Sequence, residues 1–249
     1  MDLRHVHWVS PIGVAGLLAL SVRAARDGVS TLSFVAPETP HVRSYLNSIG
    51  FVDEIVARGG LVDREPGDVP PIRPSLRATF VTTEFEMEAA AAKLELALME
   101  MAAPAVVLHS CYLVMTEVTN NAWQHGSPCY VVAQTHSGKT SGTPGLHLAV
   151  ADFGPGFMAT LAAFAPANEQ AAIELAFQEG VTRTGDPVRG LGLAHAIESM
   201  DDFPGSRLEV VSHDGSVVRE HGQTQPRSRR LRRGLRFGLL SVRPPSVSV

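Results

Sequence analysis

Cysteine is nearly missing from this chain: two in 249 residues, Cys111 and Cys129. They have no metal-ligand spacing, Cys111 falls on an apolar helical stripe, and nothing in their number implies an oxidising compartment. Charge is sparse too, with charged residues at 18% and a net charge of -4, which argues against whole-surface attraction to nucleic acid or membrane. No solenoid or propeller period recurs. The longest apolar run, Ile12 to Val22, is too short to span a bilayer. It resembles a signal peptide superficially, but Arg23 falls where a cleavage region is uncharged. The expectation is a cytoplasmic protein with no membrane segment. Its hydrophobic content of 45% is enough for a sizeable core.

What is present centres on Leu113-Val-Met-Thr-Glu117-Val-Thr-Asn-Asn121-Ala-Trp-Gln-His125-Gly126. On an α-helix Glu117 and Asn121 lie one turn apart on one polar face, and His125 drifts about 80° around from Glu117. Val107, Cys111, Val114, Val118 and Ala122 recur at three and four residues, the stripe of a helix packed on a core. A carboxylate and a neutral amide therefore sit at the edge of a buried surface. Mg²⁺ takes hard oxygen ligands while bridging phosphates, and an Asn oxygen supplies one without adding charge. Glu117 is placed to act as a general base. Taken alone, the same pair is what any wet helix face carries.

Two further boxes follow. Leu146, Leu148 and Val150 alternate like a strand that ends in Asp152-Phe-Gly154-Pro-Gly156. An Asp there can accept a hydrogen bond from an exocyclic amine such as that of adenine, and Gly154 and Gly156 let backbone approach a flat ring. Arg189-Gly190-Leu191-Gly192-Leu193 then opens an apolar helix whose free N–H groups form an anion site.

In this order the three boxes resemble the GHKL ATPases, the family of gyrase-type topoisomerases, heat-shock chaperones, histidine kinases and mismatch-repair proteins. Glu117, Asn121 and His125 match its N box, Asp152, Gly154 and Gly156 its first glycine box, and Arg189 to Leu193 its second. The resemblance spans roughly residues 82 to 242 and implies ATP and Mg²⁺ as cofactors. Asn121 would bind the metal, Asp152 would read adenine, and Gly190, Leu191, Gly192 and Leu193 would receive phosphates beneath a lid. Arg183 and Arg189 are in reach of phosphates along the sequence, with a solvated charge the alternative for each. The fold implied is α+β, a Bergerat-type α/β sandwich with a mixed sheet and helices on one face. The family's Gly-Thr before its last strand is here Gly234-Leu235, without the hydroxyl.

Ahead of this unit, residues 1–58 read as strand (Val6 to Val9), helix (Val14 to Arg26), strand (Ser30 to Ala36) and helix (Pro37 to about Gly50). They resemble the later part of a STAS domain, the module of anti-sigma-factor antagonists, without its opening strands. Ile12 stands where that family's phosphoacceptor would be, so Ser10 reads as an N-cap. Pro and Gly between 59 and 81 mark a linker with extended pieces, and residues 244–249 a frayed tail.

The helix from Glu84 to Ala102 carries Met87, Ala91, Leu94, Leu98 and Met101 at heptad spacing, a core stripe or a seam for a twin helix. It contains no histidine, which disfavours a histidine kinase. Residues 157–189 form an excursion with its own helix, Asn168 to Gln178, behaving like a lid. Lys139 lies in a flexible loop, and Arg227 to Arg236, six arginines in ten residues, reads as a solvated hairpin arm between the last two strands.

The STAS-like neighbour favours a kinase resembling anti-sigma-factor serine kinases, acting on or through a protein partner such as a STAS-like antagonist or a transcription regulator. An ATP-hydrolysing dimer and a non-catalytic ATP sensor are the alternatives. The chaperone and topoisomerase branch usually carries a second domain with a catalytic lysine, and too little chain follows Gly192 for one. Nucleic acid is not an expected partner.

Overall fold

The computed structural model describes residues 1–29, 32–63, 74–103, 105–124, 127–136, 145–181, 192–201, 206–220 and 222–226. The protein is α+β, and the element that positions the rest is an antiparallel sheet of three strands, β3 (Leu76–Val81), β4 (Cys129–His136) and β5 (Gly145–Asp152), with β4 in the middle. Its side chains alternate between two cores, as a period of two requires. Val131, Ala133, Leu146, Leu148 and Val150 point into one cluster. Tyr130, Val132, Ala149 and Ala151 point into the other.

The first core is closed by α4 (Glu84–Glu100), α5 (Ala105–Gln124) and α8 (Gly192–Asp201). The start of α4 is specified locally: the Thr83 side chain accepts from the Glu86 N–H while the Glu86 carboxylate accepts from the Thr83 N–H, a reciprocal cap. Met87, Ala91, Leu94 and Leu98 are buried as the heptad reading requires, whereas Met101 is exposed.

The second core is closed by the N-terminal segment. Helix α1 (Pro11–Arg26) has Pro in its first turn and Ser10 as N-cap, accepting from the Gly13 N–H at 3.3 Å. It lays Val14, Ala15, Leu18 and Ala19 against the sheet, all fully buried, and Leu18 contributes roughly 2 kcal/mol relative to exposure. Helices α2 (Pro40–Ser48) and α3 (Phe51–Ala57) meet at Gly50, whose φ of +87° a side chain would strain. Helices thus cover both faces of the sheet, where one covered face was expected.

Other expectations are corrected as well. Val6 to Val9 forms no strand, and Trp8 is 72% exposed; the extended pairing there is a parallel bridge from Asp2 to Val35. Of the second expected strand the described residues form β1 (Ser33–Phe34), paired in parallel with β2 (Leu61–Val62). The expected linker, 59–81, contains β2 and the whole of β3. In place of one mixed sheet, the described residues form three small ones. The third is an antiparallel meander of β6 (Arg207–Ser212), β7 (Gly215–Glu220) and β8 (Gln223–Pro226), of which sequence reasoning saw only β6. The strand expected at 235–242, the arginine run, Lys139 and the tail lie outside the described residues.

A polar seam joins the N-terminal segment to the sheet. The Ala78 N–H donates to the Ile49 carbonyl at 2.8 Å. Arg58 Nε donates to the Tyr130 hydroxyl at 2.5 Å, and that hydroxyl donates to Glu54 Oε2 at 2.9 Å. The Arg58 guanidinium also lies 4.1 Å from the centre of the Phe80 ring, and Arg77 pairs with Asp53. Tyr130 is fully buried, and burial pushes its hydroxyl well above the ordinary range, so it stays a neutral donor. Tyr130→Phe removes that link and leaves the Arg58 Nε without its acceptor. It is expected to cost about 1–3 kcal/mol, read as a lower urea midpoint at unchanged slope.

Candidate functional site

Helix α5 carries Glu117 and Asn121 on the edge of its buried face, both half-buried. One hydrogen bond and one electrostatic interaction relate it to its neighbour α8. Near the start of α5, the Ser110 hydroxyl donates to the Ser199 carbonyl at 3.2 Å, and seven residues on, Glu117 is close enough to His195 to feel its charge. Rising numbers on one helix meet falling numbers on the other, so the two are antiparallel and the first residues of α8, Gly192 and Leu193, lie toward the Asn121 end of α5. Leu193 is half-buried against the core. Burial raises the Glu117 carboxyl above the ordinary glutamate value, and a protonated His195 pulls it back.

The same end of α5 meets the end of β5. The chain leaves the helix through Ser127, whose N–H donates to the Ala122 carbonyl at 3.0 Å and whose hydroxyl accepts from the Phe153 N–H at 3.2 Å. Thr119 of α5 bonds to the Cys129 thiol, and Cys129 sits opposite Asp152 in the β4–β5 ladder. Burial first, and then the Asp152 charge, push that thiol far above its usual range. Cys111, also buried, is pushed up to about 12, so both sulfurs are unreactive thiols. Asp152 Oδ1 accepts from the Gly154 N–H at 2.7 Å, which turns the chain out of the sheet. A Cβ on Gly154 would lie 3.0 Å from that oxygen and 3.2 Å from the Ser127 Cβ.

No family model, curated protein or solved structure matches this chain. The site is therefore defined by its own geometry. Glu117 lies against α8, whose first residues lie toward the Asn121 end of α5, while Asp152 and Gly154 lie at the end of β5 that Ser127 and Cys129 tie to α5. His125, Arg189, Gly190 and Leu191 lie outside the described residues, as does Arg183.

Gly156 has a different reason for being glycine than close approach to a ring. Its φ is +82°, and a Cβ there would stand 2.5 Å from the His213 imidazole and 2.9 Å from Glu169 Oε1. Around it is a node that sequence reasoning missed. Glu169, the first residue of α7 (Glu169–Ala176), is 5% exposed. Its Oε1 accepts from the Phe157 N–H at 2.9 Å, from the Met158 N–H at 3.3 Å and from the Ser212 hydroxyl. The β6–β7 turn closes over it, with His213 at φ +50° and its Nε2 3.1 Å from the Pro155 carbonyl. A Cβ on Gly215 would strike the Gln170 N at 2.7 Å. After Gly215 comes Ser216, whose hydroxyl is buried with no partner among the described residues. The only sequence signal was Asn168 followed by Glu169, which reads as an N-cap and a first-turn acid and gives no hint of burial.

His195 also stands within 3.8 Å of Glu179. With Glu198 their ligand atoms all lie within 4.8 Å of one another, and all three residues are exposed.

Glu169→Ala leaves the Met158 N–H and the Ser212 hydroxyl without their acceptor and the Phe157 N–H with only its longer bond to Ser212 Oγ, and is expected to cost about 2–4 kcal/mol, with Glu169→Gln costing less; chemical denaturation of both variants measures it. For Glu117 the sign follows from its raised value. The folded protein holds that proton more tightly than the unfolded chain, so the contribution is present below the ordinary glutamate value of 4.5 and is lost as pH rises through the raised one. Relative to Glu117→Gln, the wild type is expected to lose thermal stability across that window. A pH-independent difference between their melting curves would contradict it.

Proposed function

We propose that the protein binds ATP with Mg²⁺ at the C-terminal end of α5 and transfers the γ-phosphoryl group to a serine or threonine of a protein partner, in the manner of the anti-sigma-factor serine kinases it resembles. What supports this reading is that a half-buried carboxylate and amide lie on α5, that a strand-end aspartate at a glycine turn is tied to the same helix through Ser127, and that the first turn of α8 lies toward the Asn121 end of α5. On this reading β3–β5 with α4, α5 and α8 form the core of a Bergerat-type domain, and the segment before it is a docked remnant of a STAS-like unit.

The donor set fits the ligands. Asn121 offers a neutral hard oxygen suited to Mg²⁺, which supplies neutralisation of phosphate charge when bound. Asp152, fastened by the Gly154 N–H, is an acceptor suited to the adenine amine. The first turn of α8 offers N–H groups to phosphate oxygens. Glu117 is raised by burial, which brings a carboxylate nearer the operating pH and makes it a better base. It takes the proton of the attacking hydroxyl as that oxygen bonds to the γ-phosphorus and the bond to the β–γ bridging oxygen breaks, releasing ADP.

Calorimetry with ATP, with and without Mg²⁺, is expected to show metal-dependent binding that Asn121→Ala makes metal-independent. Asp152→Asn is expected to lower the preference for ATP over GTP about tenfold to a hundredfold. Absence of heat in both metal states ends the nucleotide reading. Labelled ATP incubated alone and with candidate partners separates the chemistry: label on a partner hydroxyl supports the kinase, free phosphate without a partner indicates a hydrolase, and neither indicates an ATP sensor.

A further inference from the structure

Helix α4 is apolar on two sides, and only one of them is used by the core. Opposite Met87, Ala91, Leu94 and Leu98 runs a second stripe, Phe85, Ala89, Ala92, Leu96 and Met99, at steps of four, three, four and three. It ascends one line of the helix for about 21 Å. Phe85 is 79% exposed, Leu96 62% and Met99 60%. Large apolar side chains aligned on a helix and left in water mark an interaction surface. The flanks say what it fits. Helix α4 has five glutamates and one lysine. Glu88 and Glu95 border the stripe on one side, Lys93 and Glu100 on the other, and Glu84 stands at its head.

A second copy of α4 matches this poorly. Across a parallel pair Glu95 opposes Glu100, offsetting the one Glu88–Lys93 attraction, and across an antiparallel pair centred on Ala92 Glu88 and Glu95 face each other. We propose that the outer stripe of α4 is the docking site for a basic amphipathic helix of another protein. That partner would carry apolar anchors at positions i, i+3 or i+4, and i+7, with Lys or Arg flanking them. Its apolar face would cover Phe85, Leu96 and Met99, and its cations would meet Glu88, Glu95 and Glu100. The site lies on the side of α4 away from the core and does not depend on the nucleotide reading.

The probe is a labelled 18-residue helical peptide with leucines at heptad positions and lysines beside them, titrated with the full-length protein by fluorescence anisotropy. Controls are the same peptide with glutamates for lysines and with serines for leucines. The expected result is saturable binding of the basic amphipathic peptide, at least tenfold tighter than either control. Raising salt should weaken it, and Leu96→Glu or Phe85→Glu should reduce it at least tenfold while leaving the circular dichroism unchanged. No binding, or equal binding of either control, overturns the proposal. So does sedimentation showing a dimer of the protein that Leu96→Glu dissolves, since the occupant would then be a second copy.

Discussion

The constraint on which this structure turns is that β4 and β5 have no face for water. Tyr130 to Ala133 and Leu146 to Ala151, apart from His147, are all buried, odd and even positions alike. A strand of that composition left with one bare face exposes a continuous apolar surface, so each face must be roofed by helices. Helices α4, α5 and α8 roof one and the N-terminal segment roofs the other. The glycine turn after β5 emerges from between these layers, which is why Asp152 stands beside both the end of α5 and the end of α1. Arg26 lies 4.4 Å from the centre of the Phe153 ring, so the turn is braced from both sides.

The parts legible in the sequence were those whose signal is local and repeated. The stripe of α5 over four turns, the heptads of α4 and the alternation of β5 each specify an element without knowledge of neighbours. The parts that were not legible depend on partners distant in sequence. Val6 to Val9 has the composition of a strand but finds no neighbouring strand among the described residues to pair with. Leu76 to Val81 sits just behind a Pro-rich run that hid it, and it is a strand because β4 offers an edge. Two missed signals were present. Phe51 and Ile55 are a helix-spaced pair that marks α3, and Asp214-Gly215 is a turn signal between apolar runs that marks the β6–β7 hairpin.

The candidate site divides in the same way. Glu117, Asn121 and Asp152 could be chosen from sequence because their elements are periodic, and Ser127 and Cys129 tie the end of β5 that carries Asp152 to α5. Glu169, His213 and Ser216 could not, because their role comes from a turn folding over a helix start more than forty residues away. The chemistry at Gly156 shows the difference. Sequence suggested room for a ligand, whereas the space is filled by an imidazole and a carboxylate belonging to the chain itself.

The roofing of the second face by residues 11–57 also bears on how the chain can be divided. A fragment beginning at residue 82 would strip the central strand of one neighbour and lay Val132, Ala149, Ala151 and Phe153 bare. What resembles two modules in tandem is thus one folding unit, and evolution could shuffle its halves only by first supplying a substitute lid for that sheet.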